Sequence, residues 1–147
     1  MAYSILQIHR YIENLSEKDK KRFLRMYHVN ISTGKIIIPI SMIELVKKNF
    51  GSVKSVENQK IIKITNKISC ESVLFNELRA KRPVDIVAND ELLEIIKKSE
   101  NGAFCNAEDQ TPEDIFGRIR GKHSITAANI AKYDEFHSLV ILKIIIP

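Results

Sequence analysis

A continuous apolar run near one end of the chain, "HSLVILKIII" at 137–146, most constrains how it can fold. A strand that is apolar at consecutive positions is typical of one buried on both faces, and it needs neighbouring strands to satisfy its backbone amides. At 147 residues the chain is long enough for such a core. Because 44% of its residues are hydrophobic and 28% charged, it belongs with folded domains and not with disordered chains.

The first part of the chain predicts two helices. Apolar residues recur at three- and four-residue spacing over 5–15, and Ser16 with Asp19 three positions later predicts the start of a second helix, over 16–28. That helix is strongly basic, with Lys18, Lys20, Lys21, Arg22 and Arg25. Two interpretations are open: a nucleic-acid contact, or a charged solvent face opposite a buried stripe.

Strand and helix patterns alternate along the rest of the chain. They predict a strand over 34–40, a helix over 41–51 capped by Ser41 and ended by Gly51, a loop, and a strand over 60–68. The clearest helix is "ANDELLEIIKKSENG" at 88–102, while Thr111 and Pro112 predict a further helix start and 122–129 an extended segment. We therefore expect an α+β fold, an antiparallel sheet with N-terminal helices, divided into a helical and strand segment at 1–50 and a ligand-binding part at 51–147.

Positive charge favours an anionic partner, since the formal net charge is +5. Two short basic segments, "RAKRP" at 79–83 and "GRIRGKH" at 117–123, combine arginines that can grip phosphate oxygens bidentately with glycines that let backbone amides approach. Arg118, Arg120 and Lys122 are the predicted anion ligands of the second segment and are expected on an exposed loop or strand end. The simpler alternative is that the charges of both segments are only solvated.

Other reactive side chains are isolated in the sequence. Cys70 and Cys105 lie far apart, which favours reduced thiols, and neither has a neighbouring base or a second cysteine to suggest a nucleophile or a metal site. No cofactor is indicated. With no secretory signal and no apolar segment long enough to span a bilayer, we expect a cytoplasmic protein with no membrane partner.

Four short motifs occur in a familiar order: "FNELRAKRP" at 75–83, "FCN" at 104–106, "TPED" at 111–114 and "TAANIAKYDEFHSLVI" at 126–141. Together they resemble the N-terminal half of the galactose-1-phosphate uridylyltransferase and nucleotide-sugar phosphorylase branch of the histidine-triad superfamily. The resemblance covers roughly residues 60–142 and implies a histidine-triad-like half domain. It departs from the family where a lone Cys105 replaces paired cysteines and where Glu135 stands in place of a usual glycine.

The resemblance also implies roles for individual residues. Asn76, Arg79, Lys81 and Arg82 would contact the base, ribose or phosphate of a nucleotide, and Asn129 would lie at the ligand edge of the central sheet. The family transfers a nucleotidyl group through a histidine in a His-x-His motif, which is absent from this sequence. We therefore expect binding without transfer, from a reading frame that is truncated or frameshifted and prone to self-association through its last strand.

Two functions follow as alternatives. The first is the nucleotide or nucleotide-sugar binding portion of a nucleotidyltransferase or phosphorylase, with a nucleotide or sugar phosphate as partner. The second is a small basic nucleic-acid-binding protein that uses the helix at 16–28 and the same arginines. Binding that weakens steeply with salt for any polyanion would favour the second function.

Overall fold

The computed structural model describes residues 4–81 and 102–143, and shows a mixed α and β fold built on antiparallel sheets. The strands are β1 Tyr27–Ile37, β2 Asn58–Asn66, β3 Ser72–Asn76, β4 Glu113–Asp114, β5 Ser124–Ala128 and β6 Ser138–Leu142. The helices are α1 Ile8–Glu13, α2 Glu17–Met26, α3 Ile43–Phe50, α4 Val53–Glu57, α5 Glu77–Ala80 and α6 Ala107–Gln110. The expectation of helices with an antiparallel sheet is confirmed. The helix predicted at 88–102 falls outside the described residues, except for Gly102.

A long hairpin of β1 and β2 is the centre of the larger sheet, whose strand order is β3-β2-β1-β4. The two strands pair without interruption from Tyr27 opposite Asn66 to Lys35 opposite Asn58. This pairing joins the segments 1–50 and 51–147 in one sheet. The sequence had predicted only the end of β1, because its first half is polar and the preceding helical pattern runs on to Tyr27.

One face of this sheet lies against the N-terminal turns. Ile62 is fully buried, and the register places it beside Ile31 and Phe75 on the same face. Lys60 shares that face, and its Nζ donates to the carbonyl of Leu6, in the 3-10 turn Ile5–Gln7, at 2.6 Å. The predicted start of the second helix is confirmed further on, since the Ser16 hydroxyl accepts from the Asp19 amide at 3.1 Å.

The opposite face carries the main core, which α3 and α4 cover. The buried residues of this core are Ile36, Ile38, Met42, Val46, Phe50, Val56, Leu78, Ala128 and Ala131. Helix α3 ends as predicted at Gly51, whose φ of 82° favours glycine. Ser41 is not its cap: a 3-10 turn begins after Pro39, and the Ser41 hydroxyl donates to the Asp109 carbonyl. Helix α4 replaces the loop that the sequence predicted.

The segment 111–128 also differs from its sequence pattern. Thr111 follows the end of α6 instead of starting a helix, and Glu113–Asp114 form the short strand β4 on the edge of β1. The chain then turns at Gly117, whose φ is 86° and whose amide donates to the Asp114 carbonyl at 2.8 Å. The helix predicted here was wrong because pairing with Ile36 and Ile37 outweighs the local Thr-Pro signal.

Strands β5 and β6 form a separate two-stranded ribbon. Ile141 of β6 is buried with Ile125, Ala107 and Ala127, but Val140 and Leu142 are 68% and 67% exposed. The predicted strand is confirmed over Ser138–Leu142, and the part of it at 144–146 lies outside the described residues. Its predicted burial on both faces is wrong, because among the described residues only one face of the ribbon is covered. Self-association through this strand stays a prediction. None of the helices in 4–81 and 102–143 has the length and apolar character needed to cross a membrane.

Candidate functional site

Two of the motifs that are distant in sequence meet in space, where the end of β3 and α5 contact the segment 129–137. The Asn76 amide nitrogen donates to the Lys132 carbonyl at 2.8 Å and to Gln59 Oε1 at 2.9 Å, and its oxygen accepts from the Leu78 amide. Gln59 in turn donates to the Ile130 carbonyl at 2.9 Å. Both amide side chains are buried, so Asn76 and Gln59 hold the two segments together. The predicted ligand contact of Asn76 stays a prediction, and its side chain already has three internal partners.

Arg79 extends this junction to the surface. Its guanidinium carbon lies 3.6 Å from the centre of the Tyr133 ring, in a cation-π stack. One terminal nitrogen donates to the Ala131 carbonyl at 3.1 Å and the other to the Tyr133 hydroxyl. Tyr133 is 47% exposed, so the stack is open to solvent. Arg79 is therefore held in one orientation at the rim of the junction.

His137 packs on the same tyrosine. The two rings are 5.0 Å apart between centroids, and His137 Nδ1 accepts from the Tyr133 amide at 3.1 Å. Burial lowers the pKa of His137 below its usual 6.5, and the nearby charges of Lys132 and Arg79 lower it further, against the opposite effect of Asp114 and Asp134. The imidazole is thus neutral at physiological pH and suited to accepting this hydrogen bond.

Beneath the stack, Lys132 and Asp114 form a buried ion pair. Both side chains are 1% exposed, and Lys132 Nζ lies 2.6 Å from Asp114 Oδ1. The ammonium also donates to the Glu135 carbonyl at 3.0 Å, and the Ser138 hydroxyl donates to the other Asp114 oxygen at 2.5 Å. Gly34 of β1 makes room for the lysine, since a Cβ there would lie 3.0 Å from Lys132 Cδ. The pair ties β4 to the segment that carries Tyr133 and His137.

Lys81 follows α5 and is accessible. Its side chain is 48% exposed, and its Nζ pairs with Glu77 at 2.9 Å, one helical turn earlier. Arg82, the other basic residue predicted here, lies outside the described residues. Next to this turn is a cavity of about 700 Å³, lined by Ser4, Ile5, Leu6, Leu74, Phe75, Asn76, Glu77 and Arg79.

Asn129 lies at the start of the segment that contacts α5. It is half-buried, and its side-chain oxygen accepts a hydrogen bond from the backbone amide of Ala131 at 3.1 Å. The backbone amide of Asn129 donates to the His137 carbonyl at 3.3 Å. These bonds form a turn that sets the course of 129–137. Asn129 directly follows β5 of the two-stranded ribbon, and its contact with a ligand stays a prediction.

The second basic segment occupies a different place, beside α6 and β5. Arg118 was expected to be exposed, and this is wrong: its side chain is 1% exposed. Its two terminal nitrogens donate to the carbonyls of Thr126, Glu108 and Thr111 and to the Thr111 hydroxyl. The guanidinium thus binds carbonyls at the end of α6, those of Glu108 and Thr111, and the Thr126 carbonyl of β5. Arg118 therefore joins the end of α6 to β5, and its predicted role as an anion ligand has no geometric support.

Arg120 and Lys122 are at the surface, as expected. Arg120 forms a two-pronged pair with Glu108, with nitrogen to oxygen distances of 2.9 and 2.7 Å. The hydrogen bond from Arg120 lowers the pKa of Glu108, and the same bond raises the pKa of Arg120. Lys122 is exposed on the turn that follows. Of the predicted anion ligands in this segment, Arg120 is already neutralised by an acid and Lys122 is not part of any ion pair among the described residues.

Sequence reasoning missed the buried part of the site. No individual role was predicted from the sequence for four buried or half-buried residues of the site, Lys132, Asp114, Gln59 and Ser138. A lysine among small neutral residues in "TAANIAKYDEF" was nevertheless a signal for a cation with an internal partner. In the part of the chain that the structure describes, no three His, Cys, Asp or Glu side chains are grouped as a metal site would require.

Comparison with known proteins gives no further guide to the site. No protein-family model, no curated protein and no solved structure matches the chain.

Proposed function

We propose that the chain binds the phosphorylated part of a nucleotide or nucleotide sugar at the junction of α5 with the segment 129–137. In this proposal it is the binding portion of a histidine-triad-like nucleotidyltransferase or phosphorylase. The observation that carries the proposal is the stack of Arg79 on Tyr133, which brings together two of the four motifs on which the resemblance to that family depends. Each motif is short, but their contact in space is independent of their sequence likeness.

Arg79 has the properties of a phosphate ligand. A guanidinium carries five N–H donors, and the bonds to Ala131 and Tyr133 use two of them. Because those two bonds and the ring fix the plane of the group, little side-chain entropy is lost when a phosphate binds. Lys81 adds a second charge on the same short helix, and its exposed pair with Glu77 is weak enough to be exchanged for a ligand oxygen.

The neighbouring cavity can receive the rest of such a ligand. Its volume of about 700 Å³ is within the range of roughly 300–1,000 Å³ typical of small-molecule sites. Apolar walls from Ile5, Leu6, Leu74 and Phe75 suit the face of a base or a sugar ring, while Arg79 lies at the polar side. An anionic group at Arg79 with a flat or ring-shaped group in the cavity is the arrangement that these side chains favour.

A thermal-shift screen tests the proposal. Nucleoside diphosphates, nucleotide sugars and hexose phosphates are compared at equal concentration, since a ligand that binds only the folded chain stabilises it by roughly 2.7 kcal/mol at a hundredfold excess over its Kd. The ligand that raises the unfolding midpoint most is then titrated against the wild type, Lys81→Gln and the control Lys48→Gln, which removes an exposed charge on α3.

We expect Lys81→Gln to weaken binding about tenfold, from the loss of a charge-assisted hydrogen bond of roughly 1.5–3 kcal/mol. Lys48→Gln should leave the affinity unchanged. Arg79→Lys keeps the charge but loses the planar contact, and should weaken binding further. No shift with any phosphorylated compound, or equal affinities in all three variants, would show that the junction does not bind phosphate.

A further inference from the structure

A second cationic surface lies on α2, away from the motifs of the junction. Lys18, Lys21, Arg22 and Arg25 are spaced three, four and seven residues apart, which places all four side chains on one face of the helix. They line a groove of about 330 Å³, and no other described residue contributes to its walls. The row follows the helix for about 10 Å, at a rise of roughly 1.5 Å per residue.

Among the described residues, no carboxylate pairs with this face, since none of their ion pairs includes any of the four side chains. Two acids, Glu17 and Asp19, lie in the first turn of the helix. Asp19 accepts a hydrogen bond from the Ser16 hydroxyl at 2.7 Å as part of the helix cap, and Glu17 is exposed. In the part of the chain that the structure describes, the row is therefore a positively charged surface outside any ion pair.

The interpretation of α2 as a solvated charged face opposite a buried apolar stripe does not explain how its side chains are exposed. That interpretation predicts apolar side chains in the core, yet none of the residues of α2 is buried. Phe23 and Met26 are half-buried and Leu24 is 43% exposed, and the ring contact of α2 is that of Phe23 with Tyr27, at 5.3 Å. Helix α2 thus projects its basic face into solvent with little packing behind it.

We propose that the face formed by Lys18, Lys21, Arg22 and Arg25 binds the phosphate backbone of a nucleic acid. Its charge is complementary to a row of phosphates, and the cations that stand three or four residues apart have their Cβ atoms roughly 5–6 Å apart, so that one strand can contact several of them at once. The groove between the four side chains gives a phosphate group access to more than one of them.

An anionic membrane fits this face less well. Binding at a bilayer requires a large apolar face next to the basic one. The most exposed apolar side chain of α2 is that of Leu24, which lies about 100° around the helix from its neighbour Arg25, and one such side chain does not form a large apolar face. The groove itself offers no apolar wall from the described residues.

The salt dependence of binding follows from the number of cations. Neutralising four phosphates predicts a logarithmic slope of about −2.8 for a single strand and about −3.6 for a duplex. Affinity should therefore fall roughly 50-fold for a single strand, and more for a duplex, between about 50 and 200 mM salt.

The test measures fluorescence anisotropy of labelled single-stranded DNA, single-stranded RNA and duplex DNA with the wild type and two matched variants. In the first, Lys18, Lys21, Arg22 and Arg25 are all changed to Gln; in the second, the exposed Lys35, Lys48, Lys54 and Lys63 are changed to Gln. Each variant lowers the formal net charge of +5 by four, to +1, so only the position of the charges differs. Circular dichroism checks that both variants are folded.

We expect the α2 variant to lose at least tenfold in affinity at low salt and most of the salt slope, while the control variant stays within about threefold of the wild type. A difference between the three probes identifies the kind of nucleic acid. Equal losses in the two variants would show that net charge alone is responsible and would overturn the assignment, as would binding to anionic vesicles or an acidic peptide with none to the oligonucleotides.

Discussion

Removing the carboxylate of the buried pair should destabilise the chain more than any change at its surface. The variant Asp114→Asn keeps the size and shape of the side chain but leaves the Lys132 ammonium without a counter-charge. Both partners are 1% exposed, and their closest atoms are 2.6 Å apart. Because water cannot reach Lys132 in place of the carboxylate, the variant must bury an unpaired charge.

The size of the effect follows from this burial. Breaking a buried pair by removing one partner costs roughly 3–5 kcal/mol. For a chain of this length that corresponds to a fall of about 6–20 °C in the unfolding midpoint, at roughly 2–4 °C per kcal/mol. The bond from Lys132 to the Glu135 carbonyl, at 3.0 Å, remains and favours the lower end of the range.

Thermal and urea unfolding followed by circular dichroism measure the change. The matched control is Lys47→Met, which breaks the exposed pair with Glu44 at 3.2 Å and should cost no more than about 1 kcal/mol. In the double variant of Asp114→Leu with Lys132→Met, both charges are gone, and much of the lost stability should return. A loss below about 1 kcal/mol in Asp114→Asn, or a double variant less stable than Asp114→Asn, would refute the reasoning.

Three further predictions concern single side chains. Arg118→Gln should lower the free energy of unfolding by about 3 kcal/mol or more, because hydrogen bonds from a charged group contribute roughly 1.5–3 kcal/mol each. Arg120→Gln should leave the unfolding midpoint near that of the wild type, and equal midpoints for the two variants would contradict the buried position of Arg118. Asn129→Ala should cost about 1 kcal/mol in urea unfolding, the value of its one side-chain bond to the Ala131 amide, and a neutral result would show that this turn forms without it. The pKa of His137 is lowered in the fold, so as the pH falls the unfolded chain protonates this histidine before the folded chain does. The contribution of His137 to stability is therefore complete above pH 6.5 and is lost as the pH falls through the lower folded-state pKa. The acid limb of the midpoint should therefore be shallower in His137→Asn than in the wild type or in a substitution of the exposed His123, and identical acid limbs would contradict the prediction.

The parts of the fold that the sequence predicted are those decided within a few residues. The Ser16 cap and the Gly51 stop depend on the backbone next to them, and both occur where the pattern placed them. Strand β2 was found because its β-branched residues alternate over several positions. The parts that were missed are decided by distant partners. The first half of β1 is extended because β2 pairs with it, and β4 is a strand because β1 and Lys132 hold Glu113–Asp114 in place.

The site divides in the same way. The structure brings residues near 76–81 into contact with 129–137, but the motifs did not indicate which side chains there would be held by internal hydrogen bonds. Asparagine and arginine are residue types expected at a phosphate site, but the side chains of Asn76 and Arg118 form hydrogen bonds with groups of the protein itself. Whether an amide or a guanidinium is free depends on carbonyls that the fold brings near it, and these leave no mark in the local sequence.

Two buried cations explain why net charge does not locate a binding site in this chain. Lys132 is neutralised by Asp114, and the positive charge of Arg118 is directed at carbonyl groups, so neither contributes to an anion-binding surface. Arg120 is paired with Glu108 at the surface. The positive charge that can act on a partner is therefore concentrated elsewhere, on α2 and at the end of α5. Because these two places differ in geometry, one a row of four cations and the other a fixed guanidinium beside a cavity, we propose a polymer of phosphates as the partner of the first and a single phosphorylated molecule as the partner of the second.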